Sequence, residues 1–215
     1  MMTIHRIETS VPYDSNIYLV KGRSAVLIDA GTGLDSRNVI TQIWDLLDGA
    51  RLSAVLLTHC HADHVGGLRD IVQEFGCPAY ISEIEVRVIE EADLDISFSN
   101  QLGVGLRPVP CKKLLPTDVF DLGDHVLEVI QTPGHTAGSV CFRDRVTDAL
   151  FSGDTVFAQG YGRTDLLTGD FRSICKSLGL LRNVNIGTLY PGHGPTAADG
   201  KKAVNEAIAM TEASY

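Results

Sequence analysis

The chain has 215 residues, of which 44% are hydrophobic and 21% charged, and this length and balance predict a single globular domain over residues 1–215 that needs no disulfide or structural metal to fold. Its formal net charge of −9 and lack of any Lys/Arg-rich run argue against nucleic acid as a partner. No apolar run approaches ~20 residues, so no membrane span is predicted. The N-terminus has no apolar leader and the five cysteines are scattered, which together predict a cytoplasmic location.

Strands and helices are predicted to alternate along the chain. Taken in order, the patterns predict a hairpin with strands over Asn16–Lys21 and Ala25–Asp29, a helix over Ser36–Leu47, a strand over Ala54–Leu57, a helix over Val65–Phe75, a helix followed by a loop over Glu83–Pro116, a strand over Val126–Ile130, a hairpin with strands over Val140–Arg143 and Ala149–Ser152, a helix over Asp170–Leu181, a strand over Thr188–Tyr190 and a helix over Asp199–Met210. Ser36, Asp170 and Asp199 are the expected N-cap residues. This alternation predicts a layered α/β domain with helices outside the sheet.

A dense group of metal-binding residue types, the HxHxDH motif, directly follows the predicted strand that ends at Leu57. His59 and His61 are two positions apart, and extended backbone places both imidazoles on one side. Asp63 and His64 follow in the turn and can point elsewhere. Three histidines and a carboxylate within six residues have no packing rationale, so the motif predicts ligands for two neighbouring metal positions.

Three further candidate ligands lie where predicted strands end. They are His135, Asp154 and His193, each of which directly follows a glycine that lets the backbone turn sharply. Of the seven histidines, only His5 and His125 fall outside these motifs and the HxHxDH segment. This clustering predicts a metal site along one edge of a sheet.

These motifs resemble the metallo-β-lactamase superfamily, because HxHxDH, Thr132–Thr136, Ser152–Thr155 and Pro191–Gly194 match it in order over nearly the whole chain. The resemblance implies an α/β fold, the four-layer αββα sandwich, with two divalent metal ions at one edge of the paired sheets. Zinc is the expected metal, with iron and manganese as alternatives. By position, the first ion would be held by His59, His61 and His135, the second by Asp63, His64 and His193, and both by a bridging Asp154.

Within the superfamily, the chain is most similar to short glyoxalase II-like hydrolases, through Gly160–Asp165 and the Gly169-Asp170 pair. The GRTD part of this stretch also occurs in persulfide dioxygenases. True β-lactamases fit less well, since they lack the bridging carboxylate, and lactonases carry tyrosine where this chain has Phe157. Full-length glyoxalase II has a C-terminal helical domain, whereas this chain has room for one helix after His193.

The resemblance implies hydrolysis of a thioester, such as a hydroxyacylglutathione, by a metal-bridging hydroxide. Asp63 and Asp154 would be the catalytic carboxylates that orient this hydroxide. Tyr161 and Arg163 would bind a small, anionic substrate. Asp29, which follows a buried strand and needs partners there, would support the ligands rather than bind metal.

Two questions stay open from the sequence. Arg163 matches a substrate carboxylate in geometry, but an ion pair with Asp165 or Asp170 is an equal alternative. The reaction could instead be that of a mononuclear iron persulfide dioxygenase using His59, His135 and Asp154. A lactonase and a metal-binding protein without enzymatic activity are further alternatives.

Overall fold

The computed structural model describes residues 3–213, so Met1, Met2, Ser214 and Tyr215 lie outside the described residues. Contacts divide the chain into two units. The first runs to Leu114 and includes Asp121–His125, and the second comprises Leu115–Phe120 and continues from Val126. The single domain over residues 1–215 stays a prediction. Within residues 3–213, no helix combines the length and the apolar character needed to cross a bilayer.

The first unit is built on a six-stranded mixed sheet whose strands are neighbours in chain order. The first three strands are antiparallel and the rest parallel. They are β1 (Thr3–Ile7), β2 (Ile17–Lys21), β3 (Ala25–Ile28), β4 (Leu52–Leu56), β5 (Ala79–Ser82) and β6 (Cys111–Leu114), and the helices are α1 (Ser36–Leu47), α2 (Ala62–Val65), α3 (Leu68–Phe75), α4 (Val86–Glu90) and α5 (Ser99–Leu102). Strand β3, which pairs with β2 on one side and β4 on the other, is buried throughout.

The second sheet has five strands in the order β11-β10-β9-β8-β7. They are β7 (Val119–Asp121), β8 (Val126–Gln131), β9 (Val140–Asp144), β10 (Leu150–Gly153) and β11 (Leu189–Pro191), and the helices are α6 (Phe171–Leu181) and α7 (Gly200–Glu212). Strands β8, β9 and β10 are antiparallel in turn, while β10 and β11 are parallel. Helices α6 and α7 contribute Ile174, Leu178, Val204 and Ala207 to one buried apolar cluster.

Most predicted elements are confirmed, including both hairpins and the α/β class with helices around two mixed sheets. Asp170 and Asp199 are N-caps as predicted, and their carboxylates accept hydrogen bonds from the backbone of Ser173 (2.7 Å) and Lys202 (2.9 Å). Ser36 as an N-cap is wrong, because it is the first helical residue and follows the N-cap Asp35.

The helix predicted over Val65–Phe75 is wrong as one element, because Gly66 and Gly67 separate α2 from α3. A Cβ on Gly66 would lie 2.2 Å from the carbonyl oxygen of Thr32, and one on Gly67 would lie 2.2 Å from that of Ala30. The segment 83–116 does begin helical, but it also contains α5 and the strand β6. Strands β1, β5 and β7 were not predicted either.

Candidate functional site

In the first unit, the candidate residues are gathered where two parallel strands end side by side. Strands β3 and β4 are hydrogen-bonded neighbours, so Asp29 and the start of the HxHxDH motif emerge at the same edge. The backbone nitrogen of Asp29 donates to the carbonyl of Leu56 over 3.0 Å. Parallel pairing therefore joins a carboxylate and a ligand segment that are thirty residues apart in sequence.

Three imidazoles of the motif lie against one another and are buried. The ring centroids of His59 and His61 are 4.8 Å apart, and those of His59 and His64 are 4.1 Å apart. The ligand atoms that His59 and His61 offer lie within 4.8 Å of each other, as do those of Asp63 and His64. The expectation that His59 and His61 project to the same side is confirmed.

A hydrogen-bond network around Asp29 determines which nitrogen of two imidazoles carries the proton. Oδ2 of Asp29 accepts from Nδ1 of His64 (2.7 Å) and from the hydroxyl of Thr58 (2.8 Å), and Oδ1 accepts from the Thr58 backbone (2.8 Å). The Thr58 hydroxyl therefore accepts from Nδ1 of His59, 3.0 Å away. We assign both rings as Nδ1–H tautomers, which leaves each Nε2 with the lone pair that binds a metal ion.

The backbone of Asp29 is unusual for a residue with a side chain, since its φ is +60°. Aspartate is among the few residues that adopt this conformation at moderate cost. Asp29 hydrogen-bonds to the candidate ligand His64, and its supporting role at a metal site stays a prediction. The linking role of Thr58 was missed, although its position directly before His59 was the available signal.

Cys60 lies between candidate ligands, but it takes no part in this group. Its side chain is fully buried, and burial raises the pKa of the thiol well above its ordinary value, with Glu85 raising it further. A buried thiol with a raised pKa is a poor nucleophile, because the thiolate is the reactive form. Glu85 is itself buried, and the sequence patterns do not single it out.

Phe98 borders His61 at 6.2 Å between ring centroids. It has a φ of +62°, a left-handed backbone conformation that is strained for a phenylalanine. Nothing in the local sequence indicates this contact, because it depends on the path of the segment before α5.

In the second unit, three candidate ligands follow strands that end at one edge of the sheet. Strands β8, β10 and β11 point the same way, and His135, Asp154 and His193 come directly after them or within four residues. Oδ2 of Asp154 lies 3.5 Å from Nε2 of His135 and 3.7 Å from Nε2 of His193. One carboxylate oxygen of Asp154 is thus within 3.7 Å of both imidazole nitrogens, and its role as a shared ligand stays a prediction.

The tautomer of His135 is set by a backbone oxygen. Its Nδ1 lies 2.8 Å from the carbonyl oxygen of Arg163, which can only accept, so Nε2 carries the lone pair. Gly162 allows this approach, because a Cβ there would lie 1.9 Å from the carbonyl oxygen of Asp154 and 3.1 Å from Nδ1 of His135. The Gly160–Asp165 stretch is thus packed directly against two candidate ligands.

The two residues predicted to bind substrate have other contacts in the structure. Arg163 forms two hydrogen bonds with Asp165, from Nε to Oδ1 and from Nη2 to Oδ2, each 2.7 Å. These bonds lower the pKa of the Asp165 carboxyl to about 2. Tyr161 contacts Phe171 at 6.4 Å between ring centroids and forms a β-bridge with Val156. Their roles in substrate binding stay predictions.

A cavity of about 310 Å³ opens beside His193. Phe157 and Pro195 provide apolar parts of its lining, and Ala158 and Gln159 line it as well. The Phe157 ring lies 6.3 Å from the His193 ring, nearly perpendicular to it. The sequence marks Phe157 only as a replacement for tyrosine, and its position in the cavity wall is not predicted from it.

Residues 11–193 match the family model described as the metallo-beta-lactamase superfamily. The chain belongs to the metallo-β-lactamase superfamily. The matched residues include all seven candidate ligands and the strands that these ligands follow, β4, β8, β10 and β11.

Individual relatives agree with this assignment. A relative named "Probable metallo-hydrolase MJ0888" from Methanocaldococcus jannaschii is 36% identical over 188 residues, which is 85% of this chain and 88% of the relative. Among solved structures, the BLEG-1 B3 metallo-β-lactamase has a TM-score of 0.76 and 30% identity, covering 94% of this chain and 96% of its own. TTHA1623, solved in a di-iron-bound form, has a TM-score of 0.77 and 32% identity, covering 91% and 96%.

The predicted metallo-β-lactamase fold class is therefore confirmed. Superfamily membership and the relatives support a metallo-hydrolase type of function that depends on divalent metal ions.

Proposed function

We propose that this metallo-hydrolase cleaves thioesters of small carboxylate-bearing molecules with the help of two divalent metal ions. The observation that carries the proposal is the proton assignment of three imidazoles. His59, His64 and His135 each place Nδ1 against an oxygen acceptor, which gives each Nε2 the lone pair that metal binding requires. Histidines that merely packed in a core would need no such common arrangement.

The donor set fits the proposed ions. Five imidazole nitrogens and two carboxylates suit zinc, iron or manganese, and zinc is the metal we propose. We assign one ion to His59, His61 and His135, the other to Asp63, His64 and His193, and the shared position to Asp154. Ions bound there would lower the pKa of a coordinated water to about 7 and polarise the carbonyl of the substrate.

The protein groups have distinct parts in the reaction. The carboxylates of Asp63 and Asp154 accept hydrogen bonds from the attacking water and orient it. Cys60 is not the nucleophile, because its side chain is fully buried and burial raises the pKa of its thiol. A thiol has a pKa near 8.5, so its thiolate leaves without a strong general acid, and this favours a thioester over an amide.

The cavity beside His193 supports the binding part of the proposal. Its Phe157 and Pro195 walls suit an apolar portion of the substrate next to the reacting carbonyl. Arg163 and Tyr161 are proposed to bind the polar remainder, with the Arg163 guanidinium taking a carboxylate.

The test supplies the metal-loaded protein with S-lactoylglutathione, simpler acyl thioesters, glutathione persulfide, a lactone and a chromogenic cephalosporin. Free thiol, carboxylate and dissolved oxygen are followed separately. We expect thiol release from at least one thioester without oxygen consumption. Oxygen uptake with the persulfide and no thiol from any thioester would overturn the proposal in favour of a dioxygenase, for which His59, His135 and Asp154 are the candidate iron ligands. Turnover of only the lactone or the cephalosporin would also overturn the thioesterase proposal.

A further inference from the structure

The Arg163 side chain already holds a carboxylate. Nε and Nη2 of its guanidinium donate to the two oxygens of Asp165, each at 2.7 Å. Two parallel bonds from one edge of a guanidinium are the geometry in which arginine recognises a free carboxylate. Asp165 therefore occupies the position that a carboxylate ligand of Arg163 would take.

This arginine is anchored next to the candidate ligands of the second unit. Its carbonyl oxygen lies 2.8 Å from Nδ1 of His135. The preceding residue, Gly162, lies so close to the backbone of Asp154 that no side chain fits there. The base of the Arg163 side chain thus has a fixed position, and only the side chain itself is free to change partners.

The Arg163–Asp165 pair is exposed, which makes the exchange of its carboxylate easy. The side chains are 56% and 68% accessible to solvent. Solvent screens such a pair, so it contributes little to stability, and Asp165 regains hydration when it is displaced. A ligand carboxylate can therefore replace Asp165 without leaving an unpaired charge buried in the protein.

We propose that Asp165 is a specificity-determining residue that competes with the carboxylate of the substrate for the guanidinium of Arg163. The inference rests on the proposed function, since it takes the group around His135 and Asp154 to be part of the active site. Asp165 takes no part in bond cleavage. Its carboxylate lowers the affinity for anionic substrates more than the affinity for neutral ones. Asp165 therefore reduces the preference of the protein for anionic substrates.

The experiment compares two thioesters that differ by one carboxylate, S-acetyl-N-acetylcysteine and S-acetyl-N-acetylcysteamine. The measured quantity is the ratio of kcat/KM for the anionic substrate to that for the neutral one. We expect Asp165→Asn to raise this ratio about fivefold through KM, and Arg163→Gln to lower it by a similar factor. In the Arg163→Gln background, adding Asp165→Asn should have little further effect.

Glu91→Gln is the matched control, because Glu91 is in an exposed pair with Arg87 elsewhere in the chain and its loss changes net charge equally. An equal rise in the ratio with Glu91→Gln, or no rise with Asp165→Asn, would overturn the proposal.

A second readout separates this inference from the proposed thioesterase activity. Binding of S-methyl-N-acetylcysteine, which has the carboxylate but no thioester, is measured by calorimetry. Tighter binding by Asp165→Asn and weaker binding by Arg163→Gln would support the inference even if neither thioester were cleaved. Equal affinities in all variants would refute it even if both thioesters were good substrates.

Discussion

Nδ1 of His64 donates to Oδ2 of Asp29 over 2.7 Å, with both side chains almost fully buried. The same carboxylate oxygen accepts from Thr58, whose hydroxyl in turn accepts from His59. One carboxylate therefore orients two imidazoles that we assign to different metal ions. A defect at Asp29 should consequently be felt at both ions.

Asp29→Asn is expected to weaken metal binding by about 10- to 100-fold. Asparagine tolerates the φ of +60°, but its NH₂ group would donate where the carboxylate oxygen accepted. Affinity is measured by competition with a chelator on protein whose folding has been checked by circular dichroism. Thr58→Val removes the hydroxyl's bonds to Asp29 and His59 but keeps the bond between Asp29 and His64, so it should have a smaller effect. An Asp29→Asn variant with wild-type affinity would contradict the assignment of the tautomers.

Asp154→Ala should cost more bound metal than His61→Ala. The reason is that one carboxylate oxygen of Asp154 lies within 3.7 Å of both His135 and His193, so its loss affects both ions. The metal content of purified variants is measured by mass spectrometry. If the Asp154 variant keeps two ions while the His61 variant keeps one, Asp154 is not a shared ligand.

Gly162→Ala is expected to reduce turnover by about 100-fold, since an added Cβ would push the Arg163 segment away from His135 and Asp154. Gly179→Ala is the control, because a Cβ at this exposed position of α6 meets nothing within 4 Å. The control should raise the free energy of unfolding by about 0.5–1 kcal/mol and leave turnover as it is. Full activity of the Gly162 variant would show that the close approach is not needed.

The ion pairs of Glu128 should stabilise the fold at neutral pH, and this contribution should be lost in acid. Burial raises the pKa of this carboxyl, but hydrogen bonds from Arg145 (2.6 Å) and Arg143 (2.7 Å) outweigh it and leave the pKa below its ordinary value of 4.5. A depressed carboxyl pKa stabilises the fold above the unfolded-state pKa, and this is lost as pH falls through the folded-state value.

Glu128→Gln should therefore lower the free energy of unfolding by about 1 kcal/mol at pH 7 and by less at pH 3. Urea titrations at the two pH values measure the difference. Glu91→Gln, in the far more exposed pair with Arg87, should show almost no effect at either pH. An equal loss at both pH values for Glu128→Gln would mean that its packing matters, and not its charge.

Much of the candidate site could be predicted because its residues directly follow strands. The Gly-His, Gly-Asp and HxHxDH segments are local patterns, and parallel strands place their ends together. For Asp29, the sequence predicts only that a buried carboxylate needs hydrogen-bond partners, and it does not identify them. That Thr58 would join it to His59 depends on the register between β3 and β4, which no local pattern encodes.

The missed elements have similar causes. The apolar spacing of a helix continues through Gly66 and Gly67, and only the close approach of Thr32 and Ala30 shows why the chain breaks there. Strand β6 includes two exposed lysines and lies at the end of the sheet order, so it lacks the apolar pattern of an inner strand.

The left-handed backbone of Phe98 has a consequence for the evolution of the enzyme. This conformation destabilises the fold by of order 1 kcal/mol when the residue is not glycine. Replacing Phe98 with glycine would relieve this strain but would also remove the ring beside His61. Directed evolution for heat resistance alone should thus replace Phe98 readily, whereas selection for turnover should retain it. If one library is screened separately for stability and for turnover, the two selections should therefore enrich different residues at position 98.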